Sequence, residues 1–429
     1  MFKIFVTIFT GLIVSFYYFP FEFSFLPGIN TKMLLAVVGI ICALFSLIRA
    51  RETRLPFNLL RIEGWALLVS LVGVFSVVIN NTSDYAYATY FVSMTVWLSG
   101  AYATCSLIKA VHGKITVERV TIYVAAICVA QCVLALVIDS YAGIKSLVDT
   151  YIMQDQFFLT EVERLYGIGA SLDTAGVRFS ACLILIVYSI NKNKSQMTNV
   201  AIAFAIAVYL LIAVVGNMIA RTTIVGVSLS MLYAIMTFKP TNVNLSFFRV
   251  ARTVLIILVV VIPLCKYLYA SSPQFYELSR FAFEGFFNLA EKGEWEIDSN
   301  ETLKSMVVFP DNAKTWIIGD GYFTNPNLTD PTYVGLYTIG GYYMGTDIGF
   351  LRFIFYFGLI GLFTFSYFFI YVAKECSRML PEYSQMIVFV LILGFIIWLK
   401  VATDVFLVFA LMICVGNMQD ETPQLESES

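Results

Sequence analysis

Residues 342–373 read YYMGTDIGFLRFIFYFGLIGLFTFSYFFIYVA, and the fold class can be read outward from them. From Gly349 to Ala373 the run is mostly apolar and uncharged except for Arg352, long enough to cross a bilayer as a helix, which takes about 20 residues. Asp347 and Arg352 stand at its mouth. A charge in a membrane-length helix is costly, so such residues face a bundle interior, a wet cavity or each other. This stretch is therefore the first site candidate.

Composition extends the reading to the whole chain. Its 429 residues are 59% hydrophobic and 13% charged, with mean hydropathy +0.82. Soluble domains have about 25% charged and 45–50% apolar residues. The expected class is an all-α polytopic integral membrane protein, folded as a single transmembrane domain over 1–429. A net charge of −2 gives no electrostatic reason to propose nucleic acid as a partner, which would need a basic patch or stripe. Membrane-length apolar runs fall near 2–19, 32–48, 63–79, 86–108, 119–138, 177–190, 198–216, 222–237, 252–268, 349–373, 385–399 and 401–417, about 12 spans in all. Lys400 separates the last two and Asp404 follows closely, so a kinked or re-entrant element there would reduce the count to eleven. The first run carries Lys3 but no small-residue cleavage site and reads as an uncleaved helix.

Orientation follows from Lys and Arg in short loops, which favour the cytoplasmic side. Arg49, Arg51, Arg54 and Arg61, then Lys109, Lys114 and Arg119, then Lys192 and Lys194, then Lys239, Arg249 and Arg252, then Lys374 and Arg378 mark one side. Both termini are expected there, with an acidic tail over 418–429. Segments 20–31, 80–85, 139–176, 217–221 and 269–347 are expected to face outward, and 139–176 and 269–347 are too long to be simple connectors.

Loop 269–347 carries four basic and eleven acidic residues. Ser272 can cap a helix that has Pro273 at its first position, with Phe275, Leu278, Phe281, Phe286 and Leu289 at helical spacing along the membrane surface. Asp298 and Glu301 suggest a capping box for a second helix, ETLKSMVVF. Beyond Pro310 come TWIIGDGYF and a run rich in Tyr, Gly, Asn and Thr. Such a loop can order as a lid over the bundle.

Seven of the eight cysteines lie in expected helices, Cys376 lies in a cytoplasmic loop, and there is no CxxC, which argues against a structural disulfide or a zinc site. His112 is the only histidine and falls in a cytoplasmic loop, so chemistry on the outer face must proceed without a histidine base or ligand. Arginines are more suggestive. Arg178 heads the helix AGVRFSACLILIV, Arg221 follows an outer helix end, Arg280 lies in the loop helix and Arg352 one turn inside its span. Cations near helix ends can simply snorkel to the interface, the simpler reading for Lys266 and Lys400. Several together can also hold an anion, because guanidinium forks bind phosphate bidentately without metal and helix N-termini add positive ends.

Two segments carry a resemblance. IIGDGYF at 317–323 and GTDIGFLRFIFYFGLIGL at 345–362, in a chain of about twelve helices with one large outward loop, resemble the O-antigen polymerases of the Wzy type and their relatives, the O-antigen ligases. The likeness covers most of the chain as topology and about thirty residues as motif. Where the ligases read His-Asn-x-aromatic-Leu, this chain has Asp347, Ile348, Gly349, Phe350 and Leu351, a departure that favours polymerase over ligase. The resemblance implies a GT-C-like membrane glycosyltransferase of the bacterial inner membrane, with periplasmic loops at 139–176 and 269–347 and no cofactor or metal. It would polymerise undecaprenyl-pyrophosphate-linked repeat units, one lipid-linked glycan being donor and another acceptor, with a chain-length regulator as a possible further partner. Asp347 would orient or deprotonate the acceptor hydroxyl, and Arg178, Arg221 and Arg280 would stabilise the leaving pyrophosphate.

Arg352 lies five residues beyond Asp347, roughly 140° around a helix, so it is expected to contact the loop or a phosphate rather than Asp347. Tyr322, Phe323, Tyr333, Tyr337, Tyr342 and Tyr343 can stack on sugar rings or serve as interface and core aromatics. Asp347 can equally be a helix N-cap and Asp320 a turn residue, and Glu277 and Glu284 flank Arg280 as ion-pair partners. A twelve-helix transporter or lipid flippase stays open, although two repeated halves are not evident. An O-antigen ligase and a peptidoglycan-type polymerase are further alternatives.

Overall fold

The computed structural model describes residues 2–50, 57–154, 164–237, 245–326 and 341–420. Tyr333, Tyr337, Arg51, Arg54, Lys239 and residues 421–429 of the expected tail lie outside the described residues. The apolar helices are α1 (Phe2–Tyr18), α2 (Thr31–Ala50), α3 (Phe57–Asn80), α4 (Tyr90–His112) and α5 (Val117–Ser140). After the short α6 (Ala142–Tyr151) come α7 (Leu172–Asn193), α8 (Asn199–Ile219), α9 (Thr223–Met236) and α10 (Leu245–Ser271). The long loop contributes α11 (Pro273–Ala282), α12 (Glu284–Lys292), α13 (Asp298–Ser305) and α14 (Ala313–Ile318). The chain then enters α15 (Gly349–Met379), α16 (Ser384–Ile397) and α17 (Phe406–Asp420).

Seven of these helices, α3, α4, α5, α7, α8, α10 and α15, are long and apolar enough to cross a membrane, while α1, α2, α9, α16 and α17 are apolar but shorter. Each expected span coincides with one of these twelve. Large apolar side chains such as Leu255, Val259 and Ile262 on α10 stand more than half exposed, as a lipid-facing surface requires and an aqueous one disfavours. Among the described residues the chain is an all-α membrane protein with a two-residue antiparallel pairing, β1 (Glu22–Phe23) with β2 (Ile152–Met153), Glu22 opposite Met153.

The chain divides into two compact units: residues 1–35 with 104–296, and residues 36–103 with 297–429. The division falls inside the loop read as a single lid, giving α11 and α12 to the first unit and α13 and α14 to the second.

In the first unit α7 packs against α5, α8 and α9. Small residues allow the approach: a side chain at Gly226 would collide with the backbone of Ser180, and the Ser180 hydroxyl donates to the Thr222 carbonyl at 3.0 Å. The single loop helix expected from Phe275 to Leu289 is two, broken at Phe283, which caps α11 and opens α12. Ser272 accepts from the Phe275 amide and Pro273 opens α11, as expected. The Asp298–Glu301 capping box does not form. Ile297 occupies the cap position of α13 without a side-chain bond, and both acids sit in the first turn, where they still complement the helix dipole.

In the second unit α15 packs against α3, α14, α16 and α17. It is broken at Phe357 and Gly358, with Gly358 at φ 66° and ψ −171°, a conformation essentially reserved for glycine. Segment 317–323 docks at the break. The amides of Asp320 and Gly321 donate to the carbonyls of Phe355 and Tyr356 at 2.6 and 3.0 Å. The α3 side chains complete the seat, Ser76 donating to the carbonyls of Ile318 and Tyr356 at 2.9 and 2.6 Å and Asn80 to that of Gly319 at 3.1 Å. A broken apolar helix must satisfy its freed polar groups internally, and this loop supplies the partners. Around the break pack Tyr87, Phe353, Tyr356, Phe357, Phe365 and Trp398, mostly edge to face.

Candidate functional site

The second unit brings the opening stretch together with the glycine-rich segment. Asp347 lies two residues before α15, outside the helix, so a helical wheel does not govern it. The expectation that Asp347 and Arg352 do not pair is thereby overturned: Arg352 Nη1 lies 3.3 Å from Asp347 Oδ1. Asp347 is not the N-cap either, since Ile348 holds that place. Arg352 also contacts the loop as expected, its Nη2 donating to the Phe323 carbonyl at 3.1 Å. Its guanidinium stands 3.7 Å from the centre of the Phe323 ring and 4.7 Å from that of Tyr342. The arginine side chain is 10% exposed and the Asp347 side chain 19%. The two rings and the carboxylate offset part of what the guanidinium loses by leaving water, while its Nε stays enclosed without a hydrogen-bond partner among the described residues.

The flanking chain is pinned in turn. Thr324 bridges Tyr342, and the Asn325 amide donates to the Gly341 carbonyl at 3.0 Å. Asp84 Oδ2 accepts from the amides of Phe323 and Thr324 at 2.8 and 2.9 Å and from the Thr324 hydroxyl at 3.0 Å. Asp320 is more than a turn residue: its Oδ1 accepts from the Thr315 hydroxyl at 2.7 Å and from Lys314 at 3.2 Å, and its Oδ2 from the Tyr343 hydroxyl at 3.3 Å. Tyr322 and Tyr343 lie with ring centres 5.4 Å apart. Between Tyr343 and Asp347, Met344 adopts a left-handed conformation at φ 55°, which costs a non-glycine residue about 1–2 kcal/mol. Strain of this kind gathers at functional sites.

Arg178, Arg221 and Arg280 lie in the first unit. Arg178 is not at its helix start but in the second turn of α7, 5.6 Å over the Phe19 ring, with Nη1 3.4 Å from the Gly169 carbonyl. Arg221, just before α9, holds the junction of the two loop helices: Nε donates to the Phe281 carbonyl at 3.0 Å, Nη1 meets Glu284 Oε2 at 2.8 Å, and the guanidinium lies 4.0 Å from the centre of the Phe281 ring. Asn217 donates to the Ala282 carbonyl at 2.6 Å beside it. Arg280 pairs through both terminal nitrogens with Glu291, not with Glu277 or Glu284. That pairing holds the Glu291 carboxyl below its usual range and raises the Arg280 guanidinium.

Sequence reading missed Asp84 and Arg164. Asp84 is a lone acid in a short loop, and nothing in its neighbourhood announces that it pins a segment some 239 positions away. Arg164 lies ahead of α7 with its guanidinium 5.0 Å from the same Phe281 ring. Burial lowers its proton affinity, against an opposing pull from Asp173.

Comparison of the chain with known protein families, with curated proteins and with solved structures found no match.

Proposed function

We propose that the protein polymerises undecaprenyl-pyrophosphate-linked oligosaccharide repeat units on the periplasmic face of a bacterial inner membrane, as a Wzy-type glycosyltransferase with twelve membrane-spanning helices and both termini cytoplasmic. The observation that carries this reading is Asp347, held by Arg352 at 3.3 Å at the mouth of a membrane-length helix and beside rings suited to stacking on sugars. The acceptor hydroxyl oxygen forms a bond to the donor anomeric carbon, and its proton passes to Asp347. The bond from that carbon to the phosphate oxygen breaks, and the lipid pyrophosphate leaves with the electron pair. Within the second unit Arg352, Tyr322, Tyr342 and Tyr343 bind the glycan beside Asp347, and within the first unit Arg178, Arg221 and Arg280 are the cations proposed to contact pyrophosphate. No nucleotide sugar, metal or cofactor enters, and a chain-length regulator is the further partner.

A second reading, a lipid or polysaccharide transporter, draws support from the broken helix α15, since discontinuous helices build many transport sites. Surface glycan from a strain lacking the gene separates the two. Under the polymerase reading the knockout displays single repeat units, and the ladder returns with the wild type but not with Asp347→Ala or Arg221→Ala present at equal membrane level. Loss of all surface repeat units in the knockout supports transport, and a full ladder from either variant removes that residue from the site.

A further inference from the structure

Glu63 is a carboxyl within α3, one of the membrane-length helices of the second unit. It faces α4. Glu63 Oε2 lies 3.3 Å from the Thr95 hydroxyl oxygen, and further along the same seam the Ser70 hydroxyl accepts from the Phe91 amide at 2.7 Å. Position 63 thus meets 95 and position 70 meets 91, so the two helices are antiparallel and start at opposite ends. At a rise of about 1.5 Å per residue, about 8 Å or more of helix separates Glu63 from the start of α3 and Thr95 from the start of α4. Leu60 and Leu67, which share the Glu63 face of α3, are exposed as lipid-facing side chains. A carboxylate at such a place is costly unless a cation meets it.

Among the described residues none does. The charged groups of the packed helices are engaged elsewhere: the Tyr371 hydroxyl of α15 takes both Arg61 and Glu375, Arg378 lies 3.6 Å from Glu375, and Lys374 is exposed. On α4, Tyr102 donates to the Ser46 hydroxyl, and Lys109 stands in the last turn. Burial and Thr95 are the influences on Glu63, and no charge acts on it. Thr95, in turn, has one proton to donate and a second acceptor, the Phe91 carbonyl, nearer at 3.0 Å. An ionised Glu63 would compete with that carbonyl for a single proton. A neutral Glu63 removes the conflict, since its own O–H serves Thr95 and leaves the threonine proton to Phe91.

We propose that Glu63 is a proton-binding site at the lipid-facing seam of α3 and α4, holding its proton as a neutral acid that donates to the Thr95 hydroxyl while that hydroxyl donates to the Phe91 carbonyl. Carboxyls that take up and release a proton inside a bilayer serve as relay and coupling sites. Thirteen residues of α3, about 20 Å of helix, separate Glu63 from Ser76, where segment 317–323 docks, so this site is distinct from that of Asp347. The inference goes beyond the polymerase reading and does not rest on it.

Full-length protein in liposomes tests it. At pH 7 dicyclohexylcarbodiimide, an apolar reagent that modifies protonated carboxyls from within the bilayer, should label the peptide containing Glu63 and leave exposed acids such as Glu291 unlabelled. Glu63→Gln loses the label, and raising the pH lowers it in wild type as the proton leaves. Infrared spectra at pH 7 read the same state without a reagent: wild type shows the C=O stretch of a protonated carboxylic acid that Glu63→Gln lacks. The glutamine keeps the shape and an N–H donor toward Thr95, so the variant should melt as wild type does, and that melting is checked alongside. Loss of a carboxylate band rather than an acid band in Glu63→Gln overturns the site, whatever the labelling, and an acid band that persists unchanged into alkali overturns proton release. Because no glycan is present, either failure leaves the polymerase reading untouched.

Discussion

The long loop is handled in two ways, one by side chains and one by backbone. In its first half, short amphipathic helices are fastened by side chains: Arg221 and Asn217 grip the carbonyls of Phe281 and Ala282 where α11 gives way to α12. In its second half the loop backbone itself completes a broken apolar helix, and the strand that does so presents Phe323 to Arg352. Side-chain fastening buries the Arg221–Glu284 pair and leaves the Arg280–Glu291 pair a third to a half exposed. Backbone insertion fixes a carboxylate and a guanidinium at one helix mouth, where their geometry resists change. The first arrangement suits binding and the second suits positioning.

The largest effect should come from the second half. Arg352→Ala removes the cation paired with Asp347 from a mostly buried setting, and loss of one member of a buried pair costs about 3–5 kcal/mol. Thermal unfolding in detergent should show a large fall, while an unchanged midpoint would mean that Arg352 fixes nothing. Next comes Gly358→Ala. Its backbone conformation alone costs a non-glycine residue about 1–3 kcal/mol, and the new methyl would also meet the Ile317 carbonyl and push segment 317–321 off α15. Proteolysis of that segment should rise with the loss of stability, and a variant as resistant as wild type would show that the segment does not depend on the break.

Effects in the first half should be smaller. Arg221→Ala removes hydrogen bonds involving a charged group, worth about 1.5–3 kcal/mol, and should loosen the α11–α12 junction in hydrogen exchange while leaving α14 unaffected. The exposed Arg280–Glu291 pair should matter least, and only through pH. Glu291 is held below its ordinary value of 4.5, so its contribution is present above that value and is lost as pH falls through its lower folded value. Glu291→Gln should therefore flatten the acid limb of local exchange around α11 and α12, whereas an identical acid limb in both proteins would remove the pair from the account.

Much of this was legible in the residues. Apolar runs located the twelve apolar helices found among the described residues, and Ser272 with Pro273 marked the start of α11, because these signals are local. Backbone pairings between distant segments were not legible. Nothing in GDG says that its amides will meet the carbonyls of Phe355 and Tyr356, though the left-handed glycines at 319, 321 and 358 explain why glycine-rich sequence stands on both sides of that contact. The separation of Asp347 from Arg352 was misjudged for a related reason. Five residues imply opposite faces only inside a helix, and the helix begins at Gly349. Arg164 escaped notice because the ring it meets, Phe281, lies over a hundred positions away in the chain.

The most direct measurement uses purified protein in liposomes supplied with undecaprenyl-pyrophosphate-linked repeat units, following chain length and released lipid pyrophosphate together. The account predicts longer glycan with one lipid pyrophosphate released per added unit, and a fall of about 10²–10⁴-fold in Asp347→Asn, the range for losing a general base. Repeat units that cross the bilayer with no lipid pyrophosphate released, or an Asp347→Asn variant that extends chains at the wild-type rate, would contradict it.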